Sequence, residues 1–139
     1  VRARMLASPH EPAALAREVR QMRERMHAAH PNGTGLFDVK HDPGGMIDVE
    51  FAVQFLVLAH AHRWRNLAEN LGNIALLGIA ARHGLLGPAL AERAQAAYRE
   101  YRRLQHGLRL NGAAYARVPP AQIEDHARAV RALWTAVLG

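Results

Sequence analysis

The chain contains no cysteine in 139 residues, so no disulfide framework holds it, and a reducing, cytosolic setting is the natural expectation. No apolar run approaches the roughly 20 residues that a membrane-spanning helix needs, and the first residues lack the apolar stretch of a secretory signal. These two absences lead to the expectation of a soluble, intracellular protein. Lysine is nearly missing: Lys40 stands alone beside seventeen arginines. The ordinary solvated role of basic side chains therefore falls to arginine, which leaves Lys40 to be explained on its own. Metal-ligand spacing is also missing. His60 and His62 fall on opposite faces of any helix, and among the nine histidines His27 and His30 come nearest to a pair, so no histidine-held metal is expected.

With 50% hydrophobic residues, the chain suits one domain, residues 1–139, able to bury roughly two-thirds of its unfolded surface. A formal charge of +6 and a pI near 11.0 admit an anionic partner such as nucleic acid, ATP or an acidic protein surface. Genomic base composition also produces arginine excess, so the charge by itself identifies no partner.

Charge, glycine and apolar residues come closest together in the stretch from Phe37 to Phe51. Leu36 to Lys40 alternates apolar with charged residues, a strand-like pattern that needs a partner strand, and no second strand is evident elsewhere. Asp42-Pro43 then reads as a helix start, the aspartate accepting from free N–H groups and the proline needing no intrahelical acceptor, so a helix is expected from Gly44 or Gly45. Two successive glycines are each about 1 kcal/mol poorer than alanine within a helix. Unusual dihedrals or a close approach must justify them, with phosphate as one candidate and tight packing as the other. Asp48 and Glu50 point to nearly opposite sides at about 100° per residue, whereas Glu50 and Gln54 share a face. One ion gripped by both carboxylates is not expected, and complementing the helix dipole is their simplest role.

Around this stretch the apolar spacing is helical. Leu15, Val19, Met22 and Met26 form one stripe over Glu11 to Ala29, in a first helix with a break expected near Ser8-Pro9. Arg17, Arg20, Arg23 and Arg25 line no single ridge there and read as a solvated face rather than a nucleic-acid patch. From Gly45 to His62 the sequence is apolar on almost every side, which marks the central helix. After a polar connection from Arg63 to Gly72, Asn73 is expected to cap a third helix that Gly84 stops. Gly87-Pro88 opens a fourth helix reaching Leu110, and Asn111-Gly112 breaks it. A last helix follows Pro119-Pro120, with Ile123, Ala127, Val130, Leu133 and Val137 in register. The fold class expected is all-α: an antiparallel bundle of about five helices with a short extended segment near residues 36–40.

Asp38-Val39-Lys40, Gly44-Gly45, Ile47-Asp48-Val49-Glu50-Phe51 and Gln54-Phe55-Leu56-Val57-Leu58 together carry a resemblance. So do Asn73-Ile74, His83-Gly84-Leu85-Leu86, Ala97-Tyr98, Arg102 and His106-Gly107-Leu108, with Met22-Arg23 and Met26 upstream. The segment resembles the helical domain that follows the nucleotidyltransferase domain in the glutamate-ammonia-ligase adenylyltransferases. Those are two-headed bacterial enzymes that attach AMP to a glutamine synthetase tyrosine and remove it again. The wording of Phe37 to Lys40 and Gly44 to Phe51 looks more like the C-terminal, adenylylating half.

This resemblance implies a fragment of a larger multidomain nucleotidyltransferase that uses ATP and Mg²⁺ in the cytoplasm. It also implies glutamine synthetase, a nitrogen-signalling regulatory protein and the enzyme's own nucleotidyltransferase domain as partners, with no membrane. The family's metal carboxylates lie in Gly-Ser and Asp-x-Asp motifs of the preceding domain, and neither motif occurs here. The chain is therefore expected to carry no catalytic residue and no tightly bound cofactor, and to be inactive alone. Its cleft-edge candidates for nucleotide or phosphate are Lys40, Gly44, Gly45, Asp48 and Glu50, with Arg102 and His106, at i and i+4, as secondary candidates. The alternative is a non-catalytic basic helical module that binds an acidic protein or nucleic acid. A module should gather arginines on one exposed face, whereas an enzyme part should hold Lys40, Gly44, Gly45, Asp48 and Glu50 at an open edge.

Overall fold

The computed structural model describes residues 11–60, 62–63 and 71–139; the expected break at Ser8-Pro9 and most of the polar connection before Asn73 lie outside them. Five helices carry the described chain: α1 (Pro12–Ala29), α2 (Met46–His60), α3 (Asn73–Arg82), α4 (Pro88–Leu110) and α5 (Glu124–Leu138). Two short strands, β1 (Phe37–Asp38) and β2 (Arg117–Val118), and a 3₁₀ turn at Pro120–Ile123 complete it. The all-α bundle expected from the periodicity is what forms.

Local chemistry sets the boundaries. The Glu11 carboxylate accepts from Ala13 and Ala14 N–H at 3.2 and 2.7 Å, and Pro12 occupies the position where its missing N–H does no harm. Both α3 and α4 stop at a left-handed glycine. Gly84 (φ 76°) and Leu85 donate back to Ala81 and Ala80, and Gly112 (φ 81°) and Ala113 donate to Arg109 and Leu108, the paired closure typical of a glycine stop. Asn73 is not the cap: Gly72 precedes α3, and the Asn73 amide turns sideways to the Tyr98 hydroxyl at 3.1 Å.

The α2 helix is the centre, packed against all four other helices, and ten of its residues are buried. Val49, Val53 and Leu56 meet Leu77, Tyr101, Val130 and Leu133 in the main core. A smaller cluster of Phe55, Ala59, Trp134 and Leu138 receives Leu15 and Val19 of α1. No residue of α1 is fully buried, and Met22 of its apolar stripe remains 49% exposed. Two of the arginines read as solvated instead fasten this helix down. Arg20 donates to the Leu138 carbonyl at 2.7 Å, and Arg23 reaches Asp48 while its guanidinium lies 4.0 Å above the Trp134 ring.

The partner strand that the sequence did not reveal exists. Phe37 pairs with Val118 and Asp38 with Arg117 in antiparallel register, and Val39 N–H donates to Ala116 O at 2.8 Å. Two residues are too few to show an alternating pattern, which is why β2 escapes a periodicity search. The start of α2 also differs. The helix begins at Met46, and Asp42 stays in the loop, its carboxylate accepting from Asn32 Nδ2 and Asp38 N–H at 2.9 and 3.0 Å.

Candidate functional site

The double glycine lies between β1 and α2, and its N–H groups all point inward. Gly44 donates to Asp48 Oδ2 (2.8 Å), Gly45 to Asp42 O (2.9 Å), Met46 to Val39 O (2.7 Å) and Ile47 to Lys40 O (3.1 Å). Of the two reasons offered for the glycines, close packing is the one the geometry displays. A Cβ on Gly45 would stand 2.6 Å from Val39 O, and Gly44 has φ 92° with Ala127 against it.

Asp48 is enclosed at 1% exposure. Its Oδ1 and Oδ2 receive Arg23 Nε and Nη2 at 2.9 and 2.6 Å, a two-pronged bond that a planar guanidinium suits, and His27 Nε2 stands 3.7 Å from Oδ1. Burial holds the His27 ring below its ordinary pKa, against the pull of Asp48, so it remains neutral near pH 7. Tyr101, fully buried, donates its hydroxyl to Gly44 O at 2.9 Å, and burial raises its pKa. Gly44, Gly45 and Asp48 therefore form the internal fastening of α1, α2 and α4 rather than an open edge.

Glu50 lies elsewhere. It accepts from the Tyr98 hydroxyl at 2.8 Å, and with Phe51, Gln54 and the α1 residues Val19 and Met22 it lines an apolar groove of about 440 Å³. Burial, followed by the bond to Glu50, pushes the Tyr98 pKa up to about 12.

Lys40 is different again. Its backbone is tied, with its N–H donating to Asp38 Oδ1 at 3.0 Å, but its half-buried side chain has no ion-pair partner among the described residues. It opens on a hollow of about 290 Å³ shared with His30, His41, Gln105, Arg109 and Tyr115. Asp38, two residues before it, is 2% exposed, also accepts His41 N–H at 2.9 Å, and pairs with Arg117 at 3.5 Å. His41 stacks on His30 at 3.9 Å between ring centres, and burial lowers its pKa. A second hollow, of about 480 Å³, borders the first through Gln105 and Arg109 and is walled by Arg99, Arg102, Arg103 and His106.

The structure thus brings Lys40, Arg102 and His106 into one basic surface and separates Gly44, Gly45, Asp48 and Glu50 from it. The surface also includes Arg99 and Arg109, which the motif search did not pick out. Their signal was in the sequence, since positions 99, 102, 106 and 109 fall on one side of a helix. Permanent positive charge of this kind can hold and orient anions. Among the described residues no cluster of three or more His, Asp or Glu side chains could hold a metal ion. Both sequence criteria are met in part: arginines do gather on one face, and Lys40 does sit at an open edge.

The family model described as GlnD PII-uridylyltransferase matches residues 13–129. The whole chain is 51% identical over 139 residues to the bifunctional glutamine synthetase adenylyltransferase/adenylyl-removing enzyme of Burkholderia pseudomallei, and covers 15% of that protein. Over 138 residues, 99% of the chain, it is 52% identical to the enzyme of the same name from Bordetella bronchiseptica, again covering 15% of it. The Nitrosomonas europaea enzyme is 46% identical over 153 aligned positions that take in all of the chain and 16% of the relative. The chain thus spans about 15% of the length of the curated relatives it matches. It belongs to the family described by the GlnD PII-uridylyltransferase model, as a helical segment shared with bifunctional glutamine synthetase adenylyltransferase/adenylyl-removing enzymes.

Proposed function

We propose that residues 1–139 form a single helical domain of a larger glutamine synthetase adenylyltransferase, lining the cleft in which AMP passes from ATP to a tyrosine of glutamine synthetase. The observation that carries this reading is identity of about half, end to end, with enzymes bearing that name. The family model's description names uridylyl transfer, a related nucleotidyl transfer to a protein; the relatives' names favour adenylyl transfer.

Within that cleft the work of this segment is positioning and charge. Lys40, carried on a loop fixed by Asp38 and Asp42, supplies a point charge for an ATP phosphate, stabilising negative charge as pyrophosphate leaves. Magnesium does not fit here. Asp48 is committed to Arg23 and Asp38 to its own loop, so the metal carboxylates belong to the nucleotidyltransferase head, and the segment alone is inactive. The intact enzyme works in the cytoplasm under a nitrogen-signalling protein. Among the described residues no helix is long and apolar enough to cross a membrane. The arginine face favours a second reading, a basic module for an acidic protein or nucleic acid, and the two are compatible if the enzyme's own segment carries that surface.

The test is Lys40→Met in the full-length enzyme, read as turnover with glutamine synthetase alongside thermal unfolding. Turnover should fall on the order of tenfold, a barrier change of about 1.4 kcal/mol, with the melting temperature unchanged. Undiminished turnover, or a matching loss of stability, removes the phosphate role. Metal-dependent AMP transfer by the isolated 139 residues would overturn the assignment of chemistry to the head.

A further inference from the structure

We infer that the exposed ridge of α4 formed by Arg99, Arg102, His106 and Arg109 is a docking surface for an acidic face of the protein that receives the nucleotidyl group. This rests on the proposed function for its choice of partner, while the ridge itself rests on geometry alone. The four positions fall within about 80° of the helix circumference and span about 15 Å, at 100° and 1.5 Å per residue. All four are exposed, and none of their side chains has a hydrogen-bond or ion-pair partner among the described residues. Arg103 beside them is the contrast, since it spends both prongs on Glu100 at 2.7 and 2.6 Å.

Like charges at such spacings disfavour a helix, and no carboxylate lines the groove to relieve them. The opposite face of α4 fixes the ridge in place, because Ala94, Ala97, Tyr98 and Tyr101 are buried in the core. Arginines spread over about 15 Å of a rigid rod are ill-matched as a set to one nucleotide, whose phosphates lie within a few ångström of each other. They suit carboxylates spread along a protein surface, each of which a guanidinium can meet with two bonds. Nucleic acid is the less suited polyanion. The groove is lined by no phenylalanine, tyrosine or tryptophan on which a run of unpaired bases could stack, His106 being its one ring and Ile74 its only apolar member. The hollow of Lys40 adjoins this ridge through Arg109, so an acidic protein seated on α4 would bring its neighbouring surface to the Lys40 edge.

The experiment compares the full-length enzyme with its Arg99→Ala/Arg102→Ala/Arg109→Ala variant. The KM for glutamine synthetase should rise at least about tenfold while the KM for ATP holds, and the variant's kcat/KM should depend less steeply on salt than the wild type's. An increase confined to the KM for ATP would make the ridge part of the nucleotide site, and no change in either would leave it without a role; both overturn the inference. Should the wild-type enzyme transfer no AMP to glutamine synthetase, the proposed function fails. The ridge is then read directly with labelled poly-L-glutamate and a single-stranded oligonucleotide. Loss of poly-L-glutamate affinity in the variant supports acidic-protein docking, whereas loss only for the oligonucleotide, or for neither, overturns it.

Discussion

Arg23 and Asp48 are twenty-five residues apart in sequence and 2.6 Å apart in space, and they join a half-covered surface helix to the most buried helix of the bundle. Asp48 has no exposure through which water could replace its partner, whereas the Arg23 side chain keeps 19% of its own.

Arg23→Ala should therefore destabilise the fold by about 3 kcal/mol, the usual consequence of leaving one charge of a buried pair alone. The double variant Arg23→Ala/Asp48→Asn should regain part of that loss, because the stranded charge goes with its partner. Urea unfolding of the four proteins of the cycle checks this. If the two single losses simply add, the pair does not act as one unit.

Gly45→Ala should cost about 1–3 kcal/mol, because its new methyl group meets the backbone oxygens of Val39 and Asp42 at 2.6 and 3.0 Å, and backbone cannot step aside as a side chain does. Gly33→Ala is the control. Nothing lies within 4 Å of that position, and thermal unfolding should change by no more than about 0.5 kcal/mol.

Stability should hold a plateau bounded by histidine on the acid side and tyrosine on the alkaline side. His27, His41 and His60 all have pKa values lowered by burial, so the unfolded chain takes up protons first below about pH 6.5 and stability falls as pH drops from there. Tyr98 has its pKa raised to about 12 from 10.0, so the unfolded chain loses that proton first and stability falls as pH rises between those values. Chemical denaturation across pH, with tyrosinate absorbance followed in parallel, reads both limbs. Tyr98→Phe should remove one late-ionising step and lower stability by about 1 kcal/mol through the lost bonds to Glu50 and Asn73.

Arg117→Ala leaves the buried Asp38 carboxylate with only the N–H groups of Lys40 and His41. Opening of the β1–β2 pair should become easier, seen as faster hydrogen exchange at the Val39 N–H bonded to Ala116, while amides in the middle of α2 keep their protection.

The helices were legible because each has enough turns to repeat its stripe, as with Ala94, Ala97 and Tyr101 in α4 or Ala127, Val130 and Leu133 in α5, although Ile123, expected in that last helix, ends the 3₁₀ turn before it. Contacts between elements were not. Arg23 looked solvated because its own helix places it off the apolar stripe, and nothing local shows that α2 lies beneath it. A signal did exist: Asp48 sits among Met46, Ile47 and Val49 in a helix apolar on nearly every side, where a carboxylate must be enclosed and so must find a cation. The candidate site was half readable. Lys40 stood out by rarity, and Arg102 and His106 by spacing together with the family resemblance, but their union depends on β2 returning the chain beside the loop, which two residues of strand cannot announce.

That return has a mechanical consequence. The Lys40 loop is tied to the segment after α4 by the Val39–Ala116 bond at 2.8 Å and the Phe37–Val118 pairing, and to α4 itself by the Tyr101–Gly44 bond at 2.9 Å. Lys40 cannot swing as a flap over a ligand without breaking these tethers. Any movement of that loop must therefore carry the arginine ridge with it, so that loop and ridge behave as one jaw.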